Sequence, residues 1–316
     1  MRRSIAAAVL LLPLAACFEP PSSPRAVPVT LPVLQAQVRA IIRAHTGDSA
    51  LVEVAFRDMA TGDSLLIDAH EPLHAASTMK VPVMLELFRR ADAGEISLSD
   101  RVEVRNQFRS IADGSSYALD PADDSDSAMY ARIGQRVEIR ELIEHMITRS
   151  SNLATNLLID LADPRRIATT MASIDAGEMH VLRGVEDGPA FRAGMNNTTS
   201  AYALMRVMAA VADGQAASPA SNGAMVGILG RQEFTSMIPA GVPRGVRTAN
   251  KTGSITRIAH DAAIVFPPGR PPYVLVVLTR GFTSTEAAAP VAREVSAAVW
   301  RHVVAAGARN PGGPRR

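Results

Sequence analysis

Segments with the features of β-strands occupy the two ends of this chain, and helical segments occupy the middle. Near the start, Leu51–Phe56 and Ser64–Ile67 are apolar runs joined through the turn signal Thr61–Asp63. Three further strands are predicted near the end, over Val246–Gly253, Ile258–Phe266 and Tyr273–Thr279. The pattern predicts one antiparallel sheet of five strands, built from both ends of the chain.

The helical middle predicts an all-α lobe beside this α/β part. Apolar spacing predicts a helix before the sheet, Leu31–His45, and a closing helix, Thr285–Val304. Helices are also predicted within the middle and just after it: Val137–Asp160 in two pieces with a polar break at 148–152, Arg165–Met171, Thr199–Val211 and Met225–Arg231. We therefore expect a domain over 31–306, with an α/β part (31–75 and 212–306), a helical part (76–211) and a frayed tail over 307–316.

The first 17 residues have the features of an export signal. Arg2 and Arg3 precede an apolar run that is too short for a permanent membrane span, and small residues follow it. Leu14–Cys17 resembles the cleavage box of bacterial lipoproteins, in which the cysteine is lipidated. The alternative is an ordinary signal peptide with a stray cysteine. We expect an exported lipoprotein on the periplasmic side, anchored to a membrane at Cys17 through a tether over 18–30.

The net charge argues against a nucleic-acid partner, and the rarity of lysine points to two candidate site residues. The net charge of +2 is too near balance to suggest a nucleic-acid partner. Only Lys80 and Lys251 are lysine, whereas 31 basic residues are arginine. A lysine amine can lose its proton when buried and arginine cannot, so these two positions are candidates for sites that need an amine. Chance survival of a few lysines is the alternative.

Ser77 and Lys80 form an S-x-x-K motif. If Ser77 opens a helix, its hydroxyl and the Lys80 amine share one face. A serine hydroxyl is a weak nucleophile, and a neutral amine can take its proton. The alternative is a helix-capping serine followed by a solvated lysine.

Two further motifs follow in order. Ser150 and Asn152 lie in the polar break between helices, and Lys251-Thr252-Gly253 lies on a predicted strand. Each has a structural alternative, as helix caps or as a strand that ends in a bulge. Together with Ser77-x-x-Lys80, the three motifs resemble the serine β-lactamase and penicillin-binding-protein superfamily, and class A β-lactamases in particular.

The resemblance implies a role for each residue. Ser77 would attack a carbonyl carbon, Lys80 would take the serine proton, and Ser150 would pass a proton to the departing nitrogen. Asn152 would bind the substrate's side-chain amide. Substrate binding would also involve the third motif and the residue after it: Lys251 as a fixed cation, Thr252 for the substrate carboxylate, Gly253, and Ser254, whose N–H would form an oxyanion hole with that of Ser77.

Glu186 is the candidate for deacylation, which in class A enzymes uses a loop glutamate. It lies 34 residues after Asn152, as in that class. Two residues separate it from Arg183 where one is usual, Ala190 stands where an asparagine is usual, and Ser151 replaces an aspartate. Glu186 is therefore either the base, an ordinary loop carboxylate or a partner of Arg183.

Several charged residues remain unassigned by sequence. Arg231, Arg244 and Arg257 each could bind the substrate carboxylate or lie on the surface. The acidic segment Asp120–Asp126 lacks the glycine and glutamate of a calcium loop, which favours a solvated loop. His260 and Asp261 lie mid-strand and are expected to be structural. No His/Cys/Asp cluster has metal-ligand spacing, so we expect neither a metal nor another cofactor.

The sequence thus predicts a monomeric serine hydrolase that opens β-lactam rings through an acyl-enzyme on Ser77. One alternative is a D-Ala-D-Ala peptidase of the penicillin-binding type. The other is a slow-turnover module that senses lactams or binds the cell wall.

Overall fold

The computed structural model describes residues 30–47 and 50–308. Both ends of this part of the chain contribute to one antiparallel sheet of five strands, as predicted. The strands are β1 (Leu51–Asp58), β2 (Ser64–Ile67), β9 (Arg247–Ile255), β10 (Ile258–Phe266) and β11 (Tyr273–Arg280), in the order β2-β1-β11-β10-β9. The predicted export signal, Cys17 and nearly all of the predicted tether lie outside the described residues.

Nine α-helices lie within the described residues. They are α1 (Leu31–His45), α2 (Lys80–Asp92), α3 (Ile139–Thr148), α4 (Asn152–Ala162), α5 (Pro164–Ser173), α6 (Gly188–Arg192), α7 (Ala201–Ala212), α8 (Pro219–Leu229) and α9 (Thr285–Ala308). None of them is long and apolar enough to cross a membrane. The helix α9 continues through Gly307 to Ala308, so the frayed tail predicted from Gly307 starts too early.

The sheet is buried on both faces, which explains the nearly continuous apolar strands. Alternate residues of β11 point to opposite sides, because side chains alternate along a strand. Val276 and Leu278 belong to the core that also contains the buried apolar side chains of helices α2–α5, α7 and α8. Leu275 and Val277 pack with α1 and α9 on the other face. The turn that contains Ser77 lies on the side of the helical lobe.

Short elements fill the segments that lacked a clear pattern. These are the strands β3 (Leu73–His74), β4 (Arg101–Glu103), β5 (Phe108–Arg109), β6 (Ser116–Tyr117), β7 (Arg136–Glu138) and β8 (Thr198–Thr199), and 3-10 turns at 76–79, 127–132 and 239–241. The helix predicted from Met225 begins earlier, at Pro219, because Ser218 caps it by accepting from Ser221 N at 3.3 Å. The predicted polar break separates α3 from α4, and Ser151 caps α4.

Candidate functional site

Ser77 lies in a tight 3-10 turn that leads directly into α2. The preceding residue, Ala76, has a left-handed backbone with φ of 47°. Such a conformation costs about 1–3 kcal/mol and persists only where the surroundings impose it. Here the Ala76 N–H donates to His74 Nδ1 at 3.0 Å, and Thr78 Oγ1 donates to the Ala75 carbonyl at 2.6 Å. The turn therefore presents Ser77 to the cleft from a fixed backbone.

Both lysines are fully buried below this turn and converge on Ser150. Lys80 Nζ donates to the Ser150 carbonyl at 2.6 Å, to Ser150 Oγ at 3.1 Å and to Asn152 Oδ1 at 3.0 Å. Lys251 Nζ donates to Ser150 Oγ at 3.1 Å and to the Thr252 carbonyl at 2.8 Å. Among the described residues, no hydrogen bond joins Ser77 Oγ to Lys80. A single hydroxyl oxygen thus links the two amines.

Burial makes both amines easier to deprotonate. Desolvation lowers the pKa of Lys80 to about 7, although the Asp124 and Glu186 carboxylates oppose this shift. Burial, followed by the charge of Lys80, lowers the pKa of Lys251 well below its ordinary value. Two protonated amines on one hydroxyl repel each other, so the pair holds a proton less firmly than two separate lysines. Lys80 is therefore suited to be neutral near pH 7.

The backbone of Ser150 is also left-handed, with φ of 59°. It lies just before α4, but Ser151 rather than Ser150 is the cap of that helix, because Ser151 Oγ accepts from Ala154 N at 3.2 Å. Ser150 is accordingly free of the capping role considered from the sequence. Its hydroxyl and its carbonyl both face the lysines instead.

The edge strand β9 closely approaches the turn that contains Ser77 and Thr78 at Gly253. A Cβ added to Gly253 would lie 2.9 Å from the backbone nitrogens of both Ser77 and Thr78. Only glycine permits this approach without displacing the turn. Thr252 is half-buried and Ser254 is exposed, and both line the cleft beside Ser77. The third motif therefore borders Ser77 along one side of the cleft.

Glu186 reaches the cleft from the opposite side, on the loop over 181–197. Its Oε2 accepts from Asp120 N at 3.2 Å, and its Oε1 accepts from Asn152 Nδ2 at 3.5 Å. Burial raises the pKa of its carboxyl, against the Asp120 N–H that favours the charged form. Arg183 does not pair with it and instead donates to the carbonyls of Met195 and Gly184. Glu186 is thus a carboxylate of the cleft.

Two side chains that sequence reasoning left without a role hold this loop in place. Asn156 forms two hydrogen bonds with Val185, the residue before Glu186: its Oδ1 accepts from Val185 N at 2.6 Å and its Nδ2 donates to Val185 O at 3.0 Å. Asp187 accepts from Ser110 Oγ at 2.6 Å and caps α6 through Ala190 N at 3.1 Å. Ala190 is fully buried. Hydrophobic periodicity does not predict which polar side chains, such as Asn156 and Asp187, become buried, so their role could not be inferred from the sequence.

His74 and Asp124 were also missed. His74 lines the cleft and supports the Ala76 backbone, and its own carbonyl accepts from His260 Nε2 at 3.0 Å. Asp124 is buried behind Asn152 rather than solvated, so the segment predicted as a solvated loop is partly internal. His260 and Asp261 lie mid-strand as expected: His260 accepts from Thr279 N at 3.1 Å and also lines the cleft, and Asp261 accepts from Asn250 Nδ2 at 3.0 Å.

The three candidate arginines lie away from the cleft lining. Arg231 forms two hydrogen bonds with Glu144, at 2.5 and 2.6 Å, and Arg257 donates to the Gly281 carbonyl at 2.9 Å. Arg244 does not line the cleft either. Hydroxyl donors in the cleft include those of Thr252 and Ser254, and the arginine that lines it is Arg183.

The cleft has a volume of about 950 Å³, which suits a small molecule. Apolar side chains at its mouth include Phe191, Phe234 and Ile255. The described residues contain no group of three or more His, Cys, Asp or Glu side chains placed to hold a metal ion.

The chain belongs to the β-lactamase enzyme family, whose family model matches residues 33–303. A β-lactamase of Streptomyces fradiae is 27% identical over 260 residues, covering 79% of this chain and 79% of the relative. A β-lactamase of Rhodobacter capsulatus is 27% identical over 259 residues, covering 81% of this chain and 83% of the relative.

Solved structures give the same fold. The crystal structure of a β-lactamase from Sphaerobacter thermophilus superposes with a TM-score of 0.74 at 25% identity, over 85% of this chain and 97% of that one. A variant of PBP-A, solved as an acyl-enzyme complex with penicillin G, superposes with a TM-score of 0.73 at 24% identity, over 88% of this chain and 99% of that one.

Proposed function

We propose that this protein hydrolyses the amide bond of β-lactams through an acyl-enzyme on Ser77. The observation that carries the proposal is the pair of buried amines that meet at Ser150 Oγ beside Ser77. Family membership and relatives named β-lactamases support the same activity. The substrate class is therefore penicillin- and cephalosporin-type lactams.

Acylation begins when a neutral amine takes the Ser77 proton. Lys80, with its pKa lowered to about 7 by burial, is the base. Ser77 Oγ then forms a bond to the lactam carbonyl carbon, and the carbon–nitrogen bond breaks. The proton passes from Lys80 through Ser150 Oγ, 3.1 Å away, to the departing nitrogen. Lys251, on the same oxygen, stabilises the negative charge that develops along this path.

The substrate lies between the second and third motifs. Asn152 binds its side-chain amide, and Thr252 binds its carboxylate. The N–H groups of Ser77 and Ser254 form the oxyanion hole, which the close approach of Gly253 to the turn makes compact. One such donor typically contributes about 2.7–4 kcal/mol to transition-state stabilisation.

Deacylation is assigned to Glu186, which activates a water molecule for attack on the acyl carbonyl. Its raised pKa supports a role as a base. Its oxygens, however, already accept from Asp120 N and Asn152 Nδ2, and the residue four positions later is the apolar Ala190. These features favour slower release of the acyl group. A D-Ala-D-Ala peptidase or a lactam-sensing module remains the alternative function.

Replacing the nucleophile tests the proposal. Ser77→Ala is expected to abolish lactam hydrolysis, measured by the loss of lactam absorbance, and to abolish covalent labelling by a penicillin. Ser125→Ala is the matched control, since Ser125 also lines the cleft but bonds only the Arg149 carbonyl in the described structure. A Ser77→Ala protein that still becomes labelled would exclude Ser77 as the nucleophile.

We also propose an exported, periplasmic protein anchored by lipid at Cys17, with residues 18–30 as the tether and 31–306 as one monomeric catalytic domain. The basic head, the short apolar run and the position of the sole cysteine support the export signal and anchor.

A further inference from the structure

Asp124 is a buried carboxylate beside the cleft that the mechanism above does not use; only 6% of it is exposed. We propose that Asp124 is a positioning residue: its carboxylate fixes the first turn of α4, and with it the Asn152 amide that holds the Lys80 amine. The catalytic meaning of this inference rests on the proposed function, whereas its structural part can be measured separately.

The Asp124 carboxylate accepts hydrogen bonds from the first turn of α4, from Tyr130 and from Asp126 N. Its Oδ2 accepts from the backbone N–H groups of Asn152 and Leu153, both at 2.9 Å, and from the Tyr130 hydroxyl at 3.2 Å. Its Oδ1 accepts from Asp126 N at 3.0 Å. A buried carboxylate is tolerated when its oxygens are satisfied in this way, and the start of a helix favours negative charge. The carboxylate is thus built into the start of α4.

Capping alone does not account for this arrangement. Ser151 already caps α4 from within, through Ala154 N. Asp124 instead takes the two earlier N–H groups, which a helix leaves without internal partners. One of them belongs to Asn152, whose Oδ1 accepts from Lys80 Nζ at 3.0 Å. Asp124 and Lys80 therefore hold the same residue, one by its backbone and the other by its side chain.

The charge of Asp124 also acts on Lys80. The charged groups that face the Lys80 amine are Asp124, Glu186 on the loop over 181–197, and Lys251 on β9. Both carboxylates favour the protonated amine and so raise the pKa of Lys80, whereas burial lowers it. Neutralising Asp124 is therefore expected to lower the pKa of Lys80.

Because the chain has only two lysines, the pKa of Lys80 can be measured directly by NMR. Protein labelled with ¹³C at the lysine ε-carbon gives one resonance each for Lys80 and Lys251, and Lys251→Arg assigns them. In Asp124→Asn, which keeps the size and one acceptor oxygen, the pKa of Lys80 is expected to fall by about 0.5–1 unit. An unchanged pKa would overturn the inference.

Asp126→Asn is the matched control. Asp126 is a buried carboxylate two residues further along the same segment. Its Oδ2 lies 2.5 Å from His145 Nδ1 and does not accept from the first N–H groups of α4. This variant is expected to lose thermal stability and to keep the Lys80 titration of the parent. A shift as large as that of Asp124→Asn would mean that the effect is not specific to Asp124.

Penicillin acylation gives the second readout. In Asp124→Asn, the acidic limb of the acylation rate is expected to move to lower pH together with the Lys80 titration. A purely structural role would lower the rate at every pH without moving the limb, and that result would contradict the inference. If the parent protein is not acylated at all, the proposed function fails, while the lysine titration still decides the role of Asp124.

Asp124→Glu covers the case in which Asp124→Asn does not fold. It keeps the charge but lengthens the side chain by one methylene, which displaces the start of α4 and Asn152. Acylation is expected to slow by about tenfold or more, since small misplacements near a reacting centre have effects of this size. A rate equal to that of the parent would overturn the positioning role.

Discussion

At the scale of single residues, Ser150 Oγ is the atom that both buried lysine amines contact. It accepts from Lys80 and Lys251 at the same distance, 3.1 Å, and lies in a left-handed turn that holds it against both amines. Because burial lowers the pKa of each lysine, the site favours a neutral amine close to a hydroxyl. Both lysines of the sequence are thus buried in this site, as expected if these two positions need an amine that can lose its proton.

The two lysines are expected to respond differently to replacement by arginine. Lys80→Arg keeps a positive charge but cannot give up a proton, so the acylation rate should fall by about 10²–10⁴-fold. Lys251→Arg keeps a hydrogen-bond donor beside Ser150 and should have a much smaller effect, because Lys251 is not the proposed base. Stopped-flow acylation by a penicillin measures both rates. Equal losses in the two variants would contradict the assignment of Lys80 as the base.

The pH dependence has a definite sign. Lys80 must be neutral to take the Ser77 proton, and its pKa is about 7, so the acylation rate should rise as the pH increases through about 7. Lys80→Arg should lack this rise. An acylation rate in the parent that falls as pH increases through this range would contradict the account.

At the scale of elements, the close approach of β9 to the turn that contains Ser77 sets the shape of the proposed oxyanion hole. Gly253→Ala places a Cβ 2.9 Å from Ser77 N, so the turn or the strand must move. Losing one oxyanion donor in this way should lower the acylation rate by about 10²–10³-fold.

Gly227→Ala is the matched control for that variant. Gly227 lies in α8, and an added Cβ would meet only the Arg231 side chain, at an ordinary 3.6 Å. The activity should be unchanged, and stability should increase by up to about 1 kcal/mol because alanine favours the helix. Similar losses in the two variants would mean that the close approach at Gly253 has no special role.

The elements also show what sequence could and could not provide. Because both faces of the sheet are buried, β11 is apolar over Tyr273–Leu278 and β10 is apolar apart from His260 and Asp261, so both were predicted as strands from the sequence. The predicted sheet and the assignment to the serine β-lactamase superfamily are confirmed. The supports of the site were not readable: Asp124 and Asn156 look like ordinary polar residues until long-range folding buries them against Asn152 and Val185. Their partners are 28 and 29 residues away.

At the scale of the whole molecule, the cleft lies between the sheet and the helical lobe, and each side contributes part of the site. The sheet supplies Lys251 and Gly253, whereas the helical side supplies Ser77, Lys80 and Ser150. Any relative movement of these parts would change the distances at Ser150 Oγ. The core shared by the inner sheet face and helices α2–α5, α7 and α8 opposes such movement.

The location of the whole chain has its own test. Expressed at full length in a bacterium, the protein is expected in the membrane fraction, with acyl chains on Cys17 in the mature protein. Cys17→Ser should release an exported, soluble form with the same lactamase activity. Recovery of the parent chain from the soluble fraction without acyl chains would exclude the anchor.

The central claim is that Ser77 carries a transient acyl group, and intact-protein mass over time after mixing with a penicillin tests it most directly. The parent should gain the mass of one penicillin and lose it again within the assay, and peptide mapping of the adduct should place it on Ser77. Glu186→Gln should keep the adduct for longer, because it removes the proposed base for deacylation. An adduct on another residue, or no adduct at all while the lactam is hydrolysed, would contradict the account; an adduct that persists in the parent would favour the peptidase or the sensor.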